Sequence, residues 1–136
     1  MGGIKKVATR KSTPEKRADT AFSLALRRER GRCEDDRVHE CRGRLELAHG
    51  HERWHRATRF DERNVWVICQ GAHFYYGMHP TIWDAFMRRK MGARLYEKVR
   101  LLALNTGNRA VKNDHATLTT TYGARAKAAE RDMVSP

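Results

Sequence analysis

The stretch 45–73 reads LELAHGHERWHRATRFDERNVWVICQGAH, and its pattern decides the fold. Leu45, Glu46 and Leu47 alternate apolar and polar, which predicts a short strand ending near His49. Val65, Trp66, Val67 and Ile68 are strong β-formers and predict a second strand. Between them, residues 50–63 are charged and carry few aromatics apart from Trp54 and Phe60, which predicts a long loop. Gly71 is expected to turn the chain after the second strand and to deliver His73. A hairpin built this way gathers His49, Asn64 and His73.

Working outward, Ser12 or Thr13 can cap a helix, with Pro14 in its first turn. Ala18, Ala21, Phe22, Ala25 and Leu26 then make one apolar helical face, and Gly31 is the stop. Residues 33–43 form a charged loop. Pro80 opens a helix that buries Trp83, Phe86 and Met87 and breaks at Gly92. Leu95, Tyr96, Val99 and Leu102 mark another. Two strands alone make a poor core, so helices must pack on the hairpin and give an α+β fold. The expected organisation is a basic flexible tail at 1–13, one domain at 14–104, and a polar, dispensable tail at 105–136, with a loose helix at most over 124–132.

The 136 residues carry 28 Lys+Arg against 16 Asp+Glu, a formal charge of +12. The first 32 residues hold ten of those cations and three of the acids. Such an excess favours polyanions, because neutralising phosphates releases condensed counterions. No apolar run approaches a membrane span, and the basic start has no apolar core of a secretory signal behind it, so a cytoplasmic, non-membrane protein is the expectation. Cys33, Cys41 and Cys69 are an odd set, poorly suited to a disulfide scaffold. Metal binding and plain burial both remain open for them.

Five of the seven histidines fall between positions 49 and 79. Each has a bland reading: His49 as a core histidine, Asn64 as a turn residue, His51 and His55 as loop surface, His79 as the residue before a helix. The ordered spacing outweighs them for His49, Asn64 and His73. With its flanks, this arrangement resembles the HNH endonuclease family common in phages and mobile elements. The run from Ala21-Phe22-Ser23 to Arg27 and then Arg30-Gly31-Arg32-Cys33 looks like the family's leading helix and first cysteine. LELAH at 45–49 looks like the strand bearing its first histidine. Arg53 and Ala57-Thr58-Arg59-Phe60-Asp61 resemble the loop to the central asparagine, here Asn64. Val65 to Cys69 and His73 look like the closing strand and last histidine. Pro80, Trp83, Phe86 and Tyr96 resemble the helices that follow.

The resemblance implies a ββα-metal core and hydrolysis of DNA phosphodiesters. His49 would be the general base, Asn64 would hold the loop and orient His49, and His73 would bind a divalent cation, magnesium or manganese. Arg53, Arg56 and Arg59 would grip phosphates. Cys33, Cys41 and Cys69 would supply a structural zinc site that lacks a fourth ligand, for which His39 is the candidate; the alternative is that the thiols pack without metal. Two positions depart from the family pattern. Ala48 stands where relatives often carry an Asp or His ligand, and Ala72 where many carry a further cysteine. These departures favour the rival reading, a non-catalytic DNA-binding module. A basic RNA- or ribosome-binding protein explains the charge but not the His–Asn–His order. DNA is the expected partner, with phage packaging or recombination proteins as further candidates; oligomeric state stays open.

Overall fold

The computed structural model describes residues 3, 11–104 and 111–134. The fold is α+β: among the described residues, five α-helices surround a two-stranded antiparallel sheet. Helix α1 spans Pro14–Arg30, strand β1 Leu45–His49, strand β2 Val65–Cys69, α2 Gln70–Met78, α3 Pro80–Met91, α4 Ala93–Leu104 and α5 His115–Val134.

The α1 termini follow from local chemistry. The Thr13 hydroxyl accepts from the Lys16 N–H at 3.2 Å, Pro14 occupies the first turn, and Gly31 closes the helix at φ 68°. That left-handed backbone is the reason glycine ends the helix there.

In the sheet, Leu45 pairs with Cys69 and His49 with Val65. Alternation along β2 serves two cores at once. Val65 and Val67 face α1 and α5, packing with Phe22, Leu26, Tyr122 and Ala126. Trp66 and Ile68 face the other way, among Ala72, Tyr76, Phe86 and Tyr96 from α2, α3 and α4. Every residue of β2 is therefore buried. Its outer edge is covered as well. Glu34 N–H donates to the Val67 carbonyl at 2.7 Å, and Val67 N–H returns to the Glu34 carboxylate at 2.6 Å. A covered edge offers no template for further strand pairing.

Three expectations change. Residues 70–78 are not a short turn but helix α2, which begins directly after β2 and carries His73. Two glycines in QGAHFYYGM mask its helical character in sequence; the Cys69 sulfur caps it by accepting from the Ala72 N–H at 3.4 Å. The supposed dispensable tail contains the 20-residue helix α5, lying along α1. Tyr122 is buried against Phe22, their ring centroids 4.8 Å apart, and Arg125 bridges Glu29 and Glu62 at 2.6 and 2.9 Å. Residues 105–110 and 135–136 of that tail, and most of the expected basic tail at 1–13, lie outside the described residues. His55, expected on the loop surface, is buried, and its Nδ1 donates to the Ala103 carbonyl at 2.8 Å. No helix among the described residues is long and apolar enough to cross a membrane.

Candidate active site and metal centre

His49 ends β1 on the face toward α1, its ring 6.3 Å from that of Phe22. Its Nε2 donates to the Arg59 carbonyl at 2.9 Å. Burial pushes its pKa from the ordinary 6.5 to about 4, with that carbonyl bond offsetting part of the effect. The ring is therefore neutral at pH 7, with the proton on Nε2 and the basic lone pair on Nδ1. The Arg59 carbonyl is itself held in place. The Arg59 guanidinium reaches Asp19 on α1 twice, at 3.0 and 2.5 Å, and donates to the Arg53 carbonyl at 3.1 Å. Helix α1 thus fixes the tautomer of His49 through one arginine.

Asn64 is wholly buried and clamps the long loop. Its Oδ1 accepts from the His51 N–H at 2.8 Å, while Nδ2 donates to the carbonyls of His51 and Thr58, both at 3.1 Å. The Asn64 carbonyl takes the Gly50 N–H at 2.6 Å. Asn64 therefore sets the backbone on both sides of the loop, including the residue after His49; its side chain makes no bond to His49 itself. Gly50 is required here: a Cβ would stand 2.7 Å from Met87 Sδ and 2.8 Å from Asn64 Oδ1.

His73 and His49 line one open groove of 510 Å³ between α1, β1 and α2. Glu46, on β1, accepts from His73 Nδ1 at 3.0 Å. A carboxylate on one ring nitrogen leaves Nε2 as the free donor atom, the arrangement that orients metal-binding imidazoles. Glu46 was missed in the sequence because it reads as the polar half of an alternating strand. Its signal was the i, i+27 pairing that only the hairpin and α2 create. Ala48 is buried in the α2-side core and supplies no ligand.

The arginines of the loop divide. Arg53 is largely exposed and lines the groove, 4.0 Å from Asp19. Arg59 is mostly buried and committed to Asp19 and Glu15, so its guanidinium braces the site rather than reaching outward. Arg56 has an exposed side chain, and its carbonyl accepts from Asn113 at 3.1 Å.

At the other end of the hairpin, Cys33, His39, Cys41 and Cys69 converge, their ligand atoms all within 4.8 Å of one another. His39 Nε2 lies 3.8, 3.5 and 3.6 Å from the three sulfurs. Zinc bonds of about 2.3 Å to sulfur and about 2.0 Å to nitrogen in a tetrahedron require sulfur–nitrogen edges of about 3.6 Å. The group could bind a metal such as zinc, with His39 as its fourth ligand. The surroundings suit that use. His39 Nδ1 donates to the Arg37 carbonyl at 2.8 Å, which turns Nε2 toward the sulfurs. Burial would raise the Cys69 thiol, but backbone N–H groups of Ala72 and Arg42, together with hydrogen bonds from His39 and Cys33, outweigh it and bring the pKa to about 7.

Compared with known proteins, the chain matches no family model, no curated protein and no solved structure.

Proposed function

We propose that this chain is a metal-dependent DNA endonuclease of the HNH type, with a ββα-metal core formed by β1, β2 and α2. The observation that carries this reading is His49: a neutral imidazole whose Nε2 proton is fixed by a backbone carbonyl, in a groove it shares with His73. Phosphodiester hydrolysis needs a base that is unprotonated at neutral pH and cannot rotate away from its water. Nδ1 of His49 takes the proton of the attacking water. Asn64 holds the loop that supplies the Arg59 carbonyl. His73 would hold the divalent cation through Nε2, with Glu46 fixing the ring. When bound, that cation supplies charge neutralisation on the phosphate and the leaving oxygen. One imidazole without a neighbouring acid at Ala48 fits magnesium or manganese carried mainly by water and substrate phosphate rather than a permanently loaded ion. The Cys33–His39–Cys41–Cys69 group is read as a structural zinc site that pins the loop before β1 to the end of β2.

Supercoiled plasmid incubated with zinc-loaded protein and magnesium or manganese tests the reading. Nicking or linearisation is expected, and it is lost in His49→Ala and on omitting the added cation. Omission and EDTA belong in separate arms, since EDTA also strips zinc. Cleavage that survives His49→Ala removes the mechanism. The second reading, a DNA-binding module without catalysis, is favoured by Ala48; tight binding without cleavage under either cation selects it.

A further inference from the structure

Arg27 is the half-buried guanidinium of the groove that has no carboxylate partner among the described residues. It stands on α1 one turn beyond Ser23 and two beyond Asp19, and all three line the groove with His49. Its Nε donates to the Ser23 hydroxyl at 3.0 Å and to the Ser23 carbonyl at 3.3 Å, which anchors the head group without neutralising it. The acids nearby are engaged elsewhere. Asp19 is held by Arg59, Glu46 accepts from His73, and Glu52 accepts from the Trp54 indole at 2.7 Å. Two further arginines line the same groove on long, exposed side chains: Arg44, 3.7 Å from Glu46, and Arg53, 4.0 Å from Asp19. Pairs this long, with the arginine side chain exposed, are worth little and exchange readily for a stronger anion. A partly desolvated guanidinium without an acid attracts a phosphate, which it can grip with two parallel N–H bonds.

We propose that Arg27, with Arg44 and Arg53 at the rim, is the seat for DNA backbone phosphates beside the His49–His73 site. This adds α1 and the approach to β1 to the phosphate contacts, keeps Arg53 of the loop, and leaves out Arg59, whose guanidinium is committed to Asp19. The proposal rests on the endonuclease reading for the role of His49 and His73, but not on cleavage itself.

Binding of a fluorescent duplex, followed by anisotropy across a salt series without added magnesium, tests it. Arg27→Gln, which keeps an N–H for Ser23, is compared with wild type, with Arg27→Ala, and with Arg94→Ala on α4 as a charge-matched control. Loss of one phosphate contact lowers the log–log salt slope by about 0.9 and weakens affinity roughly tenfold in both Arg27 variants. Arg27→Lys keeps most of the slope. Wild-type affinity and slope in Arg27→Gln and Arg27→Ala, or an equal loss in Arg94→Ala, overturns the seat. If the Arg27 loss appears but no cation supports plasmid cleavage, the endonuclease reading fails and the seat stands. If cleavage occurs with Arg27 binding unchanged, the reverse holds. Absence of duplex binding at low salt removes both.

Discussion

The pKa of His49 makes its chemistry measurable through pH. Burial, with Arg53 and Arg59 adding repulsion and Asp19 opposing it, holds the imidazole neutral down to about pH 4. The acid limb of the cleavage profile that belongs to the base is therefore expected well below the ordinary value of about 6.5, and a midpoint there would mean an exposed, unperturbed ring. The same shift has a stability consequence whose sign can be worked out. Below about pH 6.5 the unfolded chain binds a proton that the folded chain refuses until about pH 4. The native state therefore loses up to about 1.4 kcal/mol per pH unit across that window. Urea melts at pH 7 and pH 5 should show a smaller acid loss in His49→Asn than in wild type; equal losses would place the burden on other groups. Glu46 belongs to the same scale. Glu46→Gln leaves His73 a weaker orienting partner, so manganese binding, followed by electron paramagnetic resonance in the presence of duplex, should weaken about tenfold. Unchanged binding would make the 3.0 Å contact incidental.

At the scale of elements, the legibility of the sequence follows the range of the interactions involved. The hairpin was readable because alternation in LELAH and β-branching in VWVIC are local signals, and α1 because Thr13, Pro14 and Gly31 punctuate it. The helix α2 was not, since its glycines hide it and its cap is a cysteine. Nor was α5: its apolar positions are mostly alanines, and its burial depends on Phe22 far away in sequence. His39 was readable only as a candidate, because a fourth ligand is defined by where the loop at 33–43 folds. Two predictions test these elements. Cys41 is exposed, so its thiol has no packing role. If Cys41→Ser nonetheless removes bound zinc and lowers Tm by several degrees, the loss acts through the metal; unaltered zinc content would exclude Cys41 as a ligand. Tyr122→Ala opens the contact between α5 and α1 and should destabilise by about 3 kcal/mol in urea, whereas a tail that only decorates the domain would lose almost nothing.

For the whole molecule, the count of 28 lysines and arginines overstates what is available to DNA. Many arginines are spent internally: Arg59 on Asp19, Arg89 on Asp36, Arg88 on Asp84, Arg125 on Glu29 and Glu62. The groove keeps Arg27, Arg44 and Arg53, and residues 1–10 of the leading segment contribute Lys5, Lys6 and Arg10. The two sets should act differently. On the proposed reading, groove arginines would hold a phosphate at a defined place beside His49, so their loss should reduce cleavage as well as affinity. Cations of the leading segment add attraction that does not depend on register. Deleting residues 1–10 should therefore weaken binding to all duplex sequences alike and flatten the salt slope by up to about 2.7, three contacts at about 0.9 each. The cleavage rate at saturating DNA should stay as it was. A slope that does not change on deletion would confine the DNA footprint to the groove, and a lost saturating rate would place the leading segment inside the active site.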